Sequence, residues 1–260
     1  MASKPYSALK IAFKYARYCL TSKTHFSVHA PLVFGFCENV IANIRTPVYQ
    51  SIELERKKFK TSKQILNFTD YGKNGTTISK KVSDIAKRSL KSPKYARLIS
   101  RSVAYLNAKM VLELGTSLGI TTAYVAQNKG VNVLSLEGDK SVAALAKQAW
   151  NNAGITTIEQ VIGNFDETLL GVLQANRFDF IYIDGNHKLE PTLRYFEQCL
   201  ANTKSTCVIV FDDIHYSREM EQAWQQIKNH PTIKCTIDLF FLGFVFINYK
   251  ITPKHYVLRF

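Results

Sequence analysis

Five acidic residues stand where apolar runs of this 260-residue chain give out. Glu113 lies in Val111-Leu-Glu-Leu-Gly-Thr-Ser-Leu-Gly119, Glu137 ends Val131-Asn-Val-Leu-Ser-Leu-Glu137, Asp184 ends Phe178-Asp-Phe-Ile-Tyr-Ile-Asp184, and Asp212 with Asp213 follows Val208-Ile-Val-Phe211. The first stretch reads as a nucleoside-cofactor loop, an apolar strand running into a Gly-x-x-x-Gly turn and then a helix. It lacks the G-x-G of the dinucleotide fingerprint, and a carboxylate just before the turn repels a diphosphate while suiting a cationic group. Asp184, Asp212 and Asp213 put three carboxylates on two successive strand ends. Such a cluster is costly unless a cation or proton offsets the repulsion, and oxygen ligands suit hard divalent cations. His187, three residues after Asp184, is of the type that takes a proton near neutral pH, and His215 is a second candidate.

Positioning these groups requires strands that all end on one side of a sheet. From Met110 onward the pattern alternates, with strands near 110–114, 132–137, 157–162, 178–183, 205–211, 233–238 and 241–248 and helices in most gaps. That alternation predicts an α/β fold, a mainly parallel sheet with helices on both faces. The last two segments are too close for a helical crossover and predict an antiparallel hairpin. In open α/β sheets the ligand sits beyond the carboxyl ends of the strands, where every candidate above falls.

The first hundred residues read as helical. Tyr6, Leu9, Phe13, Ala16 and Leu20 recur along one side of residues 5–20, a modest apolar face expected to dock on the core rather than on a membrane surface. Further helices are expected from Pro31 to about Ile44 and from Tyr49 to Lys60. The turn-rich Asp70-Tyr-Gly-Lys-Asn-Gly75 separates these from a stripe of Ile78, Val82, Ile85, Ala86 and Leu90, and Ser92-Pro93 opens another helix. The expected division is a basic helical extension over 1–75 and a catalytic domain over 76–260.

The acidic-strand, glycine-turn, helix pattern, with Glu137 closing the next strand, resembles the class I S-adenosylmethionine-dependent methyltransferases over most of residues 109–250. The resemblance implies a seven-stranded, mainly parallel Rossmann-like sheet ending in an antiparallel hairpin. It implies that Gly115, Ser117 and Gly119 leave room for the methionine portion of the cofactor, that the helix start near Thr121 receives its carboxylate, and that Glu113 favours its ammonium group. Glu137 would take the ribose hydroxyls, while Asn164, Phe165 and Asp166 would meet adenine. The acidic strand ends further resemble the metal-dependent O-methyltransferases of the catechol and macrolide-sugar types. On that likeness Asp184, Asp212 and Asp213 bind Mg2+ or another divalent cation, Asp184 also borders the cofactor, and His187 stands where the catechol type has a basic lysine. Ile183-Asp-Gly-Asn186 is not the Asn/Asp-Pro-Pro-Tyr motif of amino-group methyltransferases.

Charge divides the chain. Residues 1–109 hold 21 Lys and Arg against 5 Asp and Glu, whereas residues 110–260 hold 13 against 15. The basic part suits an anionic partner, although a solvated helical face explains it equally well, and no zinc-finger spacing or arginine-rich run singles out nucleic acid. Five scattered cysteines without a C-x-x-C arrangement read as reduced core thiols. No apolar run approaches the roughly 20 residues a membrane span needs, and no secretory signal is evident. A cytoplasmic protein is expected, acting on a small hydroxylated molecule. The sequence also allows an RNA-directed methyltransferase using the basic N-terminal part, a catalytically silent cofactor-binding protein, and a homodimer.

Overall fold

The computed structural model describes residues 5–43, 47–70, 76–203 and 205–260. The elements in chain order begin with α1 (Ala8–Thr21), α2 (Pro31–Phe36), which runs on as one π-helical turn over Cys37–Ile41, and α3 (Gln50–Thr61). A hairpin follows, β1 (Ile65–Asp70) and β2 (Thr76–Lys81), then α4 (Val82–Ser89) and α5 (Pro93–Tyr105). The alternating part runs β3 (Met110–Leu114), α6 (Ile120–Ala126), β4 (Asn132–Glu137), α7 (Lys140–Asn152), β5 (Ile158–Ile162), α8 (Phe165–Ala175) and β6 (Phe180–Ile183). It ends with α9 (Leu189–Asn202), β7 (Cys207–Asp212), α10 (Arg218–Lys228), β8 (Cys235–Asp238), β9 (Leu242–Ile247) and β10 (Lys254–Val257). The described residues form two compact units, one from residues 43–172 and one from 1–42 with 173–260.

In the unit of residues 43–172, β3, β4 and β5 pair in parallel, Glu113 lying opposite Ser135 and Glu137 opposite Ile162. β3 is almost wholly buried, as a strand covered on both faces must be. α5 buries Leu98, Ile99 and Val103 along its apolar stripe, and Ser92 stands at its N-cap position without a side-chain bond to the helix. The β1–β2 hairpin corrects the all-helical reading of the first hundred residues. Ile78 belongs to β2, opposite Phe68, and not to the helical stripe, which starts at Val82. Period-3.6 spacing is easily counterfeited where a short strand runs straight into a helix. The turn expected at 70–75 lies, beyond Asp70, outside the described residues.

In the other unit, β6 pairs in parallel with β7, β7 antiparallel with β9, and β9 antiparallel with β8. The antiparallel hairpin at 235–247 is therefore as expected. An eighth strand beyond the expected seven, β10, pairs in parallel with β8 from the far edge. Its Lys254-His-Tyr-Val257 has only Tyr256 buried, an edge pattern too polar to read as a sheet strand. All six residues of both β7 and β9 are buried. Trp224 fills the space over Gly243, where a β-carbon would come within 2.7 Å of its ring. No helix among the described residues is long and apolar enough to cross a membrane.

Candidate functional site

The unit of residues 43–172 carries the glycine turn. Gly115 and Thr116 both donate their N–H to Leu136 O, at 3.0 and 3.2 Å, so the turn folds back over the end of β4. Three of its five residues, Gly115, Ser117 and Gly119, have positive φ, which lets the backbone wind tightly. Ser117 N–H donates to Glu137 Oε2 at 2.8 Å, and its hydroxyl reaches Ser89 Oγ at 2.8 Å. Glu137 Oε1 accepts from Asp139 N–H at 3.1 Å. The structure thus brings Ser117 and Glu137, twenty residues apart, into direct contact. Burial raises the Glu137 carboxyl to about 7, against the opposing pull of its backbone N–H donors.

Gly119 has a more demanding reason to be glycine than room for a cofactor. It adopts φ +69°, and a β-carbon there would lie 2.5 Å from the Trp150 indole nitrogen. That nitrogen donates to Gly119 O at 2.8 Å. Glu113 is buried and its Oε2 accepts hydroxyl bonds from Thr122 at 2.5 Å and Ser135 at 2.6 Å; Ser135 in turn lies 2.6 Å from Thr116 Oγ1. Thr121 is the second residue of α6 and half-buried.

After β5, Gly163 N–H donates to Glu137 O at 2.9 Å. Asn164 caps α8: its carbonyl accepts from the N–H groups of Glu167 and Thr168, and its side-chain oxygen from Asp166 N–H at 3.2 Å. Phe165 is half-buried, whereas Asp166 and Glu167 are exposed in the first turn of α8, where carboxylates favour the helix dipole.

The unit of 1–42 and 173–260 carries the other acids. Asp184 follows β6 and accepts the Tyr182 hydroxyl on Oδ2 at 2.9 Å. Asn186, with φ +54°, turns the chain there and donates to the Tyr195 hydroxyl at 3.1 Å, bringing His187 Nε2 to 3.5 Å from Asp184 Oδ1. Asp212, 1% exposed, closes β7. One ligand atom from each of Asp184, His187 and Asp212 lies within 4.8 Å of the others. Asp213 is not part of that group; it has φ +54° and donates its N–H to Phe241 O at 2.7 Å. The two carboxylates are oxygen donors that fit a hard divalent ion such as magnesium, with the His187 imidazole beside them.

His215, the second candidate base, belongs to another charged group in this unit, whose other members sequence reasoning missed. His215 stands 3.0 Å from Glu221 through Nδ1 and 3.0 Å from Asp238 through Nε2, with its ring stacked on Phe240. Glu221 also receives the Tyr6 hydroxyl and Lys14 Nζ, each at 2.8 Å, and Asp238 receives Trp224 Nε1 at 3.0 Å. Burial alone would lower the imidazole, but the two carboxylates outweigh it and raise His215 to about 9. No local spacing signals this group, because its members come from the segment before α1, α1 itself, the loop after β7, α10 and β8.

Residues 112–214 match the family model described as a methyltransferase domain. The chain is 18% identical to the O-methyltransferase from Bacillus cereus solved in complex with SAH (S-adenosylhomocysteine), with a TM-score of 0.57 over 79% of this chain and 93% of that one. The SAH-bound methyltransferase PaMTH1 of Podospora anserina is 12% identical, with a TM-score of 0.58 over 94% and 98%. Residues 112–214 are thus similar to a methyltransferase domain, and the likeness to the solved structures gives the fold: a mainly parallel Rossmann-like sheet with a C-terminal antiparallel hairpin and N-terminal helices. Among named relatives it is similar to the catechol O-methyltransferase of Niastella koreensis, 30% identical over 128 residues, which are 47% of this chain and 57% of that enzyme. The chain thus matches little more than half the length of that relative.

Proposed function

We propose that this chain transfers a methyl group from S-adenosylmethionine to a hydroxyl of a small, catechol-like molecule with the help of a divalent cation. The observation that carries the proposal is the convergence of Asp184, His187 and Asp212 to within 4.8 Å in a chain whose residues 112–214 match a methyltransferase domain. The likeness to a catechol O-methyltransferase supports the choice of a hydroxyl acceptor.

S-adenosylmethionine supplies an electrophilic methyl group. A divalent ion lowers the pKa of a hydroxyl bound to it and fixes its position. The protein's share is then orientation and proton removal. In this reading Asp184 and Asp212 would hold the cation, Asp184 being braced by the Tyr182 hydroxyl, while Asp213, next in the chain, lies outside the converging group. His187 Nε2, 3.5 Å from Asp184 Oδ1, accepts the proton of the substrate hydroxyl. Glu137 receives the cofactor ribose, for which the ionised carboxylate is the better acceptor. The wound backbone of Gly115, Ser117 and Gly119 leaves space for the methionine portion, with Thr121 near its carboxylate and Glu113 favouring its ammonium. Asn164, Phe165 and Asp166 border adenine.

Isothermal titration with S-adenosylhomocysteine, followed by methyl-transfer assays on a panel of catechols with Mg2+, Mn2+ or chelator, tests this directly. Micromolar cofactor binding with divalent-dependent methylation is the expected result. A thermal shift with NAD and none with S-adenosylhomocysteine, or no methylated product with any ion, sinks it.

A further inference from the structure

Helix α1 has two apolar sides, and only one of them is used. Its inner side is tied down within its own unit. Tyr6 N–H donates to Tyr216 O at 3.0 Å, and Lys14 Nζ pairs with Glu221 at 2.8 Å. The Tyr15 and Tyr18 rings lie 5.1 and 5.4 Å from Phe240, and the Tyr18 hydroxyl donates to Leu258 O. The outer side carries Leu9, Phe13 and Leu20, which are 82, 73 and 84% exposed. At about 100° per residue these three and the exposed Ala16 fall within an arc of about 60°. Single exposed apolar residues need no explanation, but three large ones aligned along a helix whose opposite side is fully engaged do.

Charge chooses among the occupants. Residues 1–37 contain five Lys and Arg and no Asp or Glu, and Lys10 and Arg17, both exposed, border the outer stripe along one edge. A second copy docked through the same stripe would bring together two segments of the same sign. A nucleic acid would meet the cations but leave Leu9, Phe13 and Leu20 in water, because phosphate contacts are made by cationic and polar donors. An anionic bilayer surface satisfies both halves, headgroup phosphates for the cations and the acyl boundary for the apolar stripe. At 14 residues the helix is too short to span the roughly 30 Å hydrocarbon core, so it lies in the interface plane.

We propose that α1 is a membrane-surface helix that seats this protein on anionic lipid through Leu9, Phe13 and Leu20, with Lys10 and Arg17 on the headgroups. The surface stands independently of the methyl-transfer reading. It also refines the expectation that this segment docks on the core: the inner side does, and the outer side is left for lipid.

The test is co-sedimentation of the full chain with phosphatidylcholine vesicles, with and without about 30 mol% phosphatidylglycerol. Binding at least about tenfold stronger to the anionic vesicles, weakening about tenfold as salt rises to about 0.5 M, is expected. Leu9→Ser with Phe13→Ser and Leu20→Ser should cut partitioning at least about tenfold, and Lys10→Glu with Arg17→Glu should abolish the preference for anionic lipid; an unchanged thermal midpoint in each verifies folding. No vesicle binding by the wild-type chain overturns the proposal, as does a triple serine variant that sediments like wild type. Light scattering that shows a dimer lost in the triple variant, without vesicle binding, would assign the stripe to a second copy. RNA binding without vesicle binding would assign the cations to nucleic acid.

Discussion

The carboxylates around the glycine turn and those gathered in the unit of 1–42 and 173–260 are held by opposite means. Around the turn the partners are neutral: hydroxyls of Thr122 and Ser135 on Glu113, backbone N–H groups on Glu137, and the N–H groups of Ser141, Val142 and Thr69 on Asp139. In the other unit they are ionisable: His187 beside Asp184, His215 between Glu221 and Asp238, and Lys14 on Glu221. The consequence is visible in two glutamates that burial pushes the same way. Glu137, with fixed dipoles alone, rises to about 7. Burial pushes Glu221 upward as well, but bonds from His215, Lys14 and Tyr6 overturn it and bring the carboxyl to about 2. Neutral donors orient an acid without cancelling its charge, which suits a site that greets polar hydroxyls. Imidazoles and ammonium groups compensate charge, which suits a site that exchanges protons or cations.

The sharpest way to break this contrast is Asp212→Asn. If the ionisable cluster serves the chemistry and the neutral cradle serves the cofactor, divalent-stimulated methyl transfer should fall by roughly 1000-fold. S-adenosylhomocysteine affinity measured by titration should stay within about twofold. A parallel loss of affinity would remove the division of labour. Next in size is Gly119→Ala, which forces a β-carbon into the Trp150 indole at a left-handed backbone position. Urea unfolding should register a loss of about 3 kcal/mol. Wild-type stability would mean that the Trp150 packing does not hold the turn.

The strand-end acids and the sheet were legible because both follow from short-range rules. An apolar run of five or six residues closing on a carboxylate identifies β3, β4, β6 and β7 without knowledge of their neighbours, and the spacing from Glu113 to Glu137 identifies the cradle. What escaped were the partners. Trp150 explains Gly119 from 31 residues away, and Glu221 and Asp238 explain His215 from 6 and 23 residues away. His187 joins Asp184 and Asp212 only because Asn186 takes a left-handed turn. The β1–β2 hairpin escaped for a different reason: its strands are polar and largely exposed, so no buried face printed an alternation on the sequence.

A smaller effect probes the neutral cradle. The raised Glu137 carboxyl is half protonated near 7, while ribose hydroxyls donate best to the ionised form. Affinity for S-adenosylhomocysteine should therefore rise as pH is taken from 6 to 8, by up to about tenfold per unit below the pKa, and level off above it. Glu137→Gln should weaken binding about tenfold at pH 8 and flatten the profile. A wild-type profile that is already flat would mean that the carboxylate does not face the ribose.

The smallest effect belongs to the charge-compensated group. His215 has a folded pKa of about 9 against the ordinary 6.5, so the folded state holds its proton more tightly than the unfolded chain does. Its contribution to stability is complete below about pH 6.5 and is lost as pH rises through 9. His215→Gln keeps the hydrogen-bonding capacity but not the charge, and should cost about 1 kcal/mol at pH 6, where Glu221 and Asp238 would face a neutral partner. Urea unfolding of both proteins from pH 6 to 10 should bring the two curves together at the alkaline end. A gap that stays constant across that range would mean that His215 acts by packing on Phe240 rather than by charge, and the contrast between the two units would then rest on Asp184 and His187 alone.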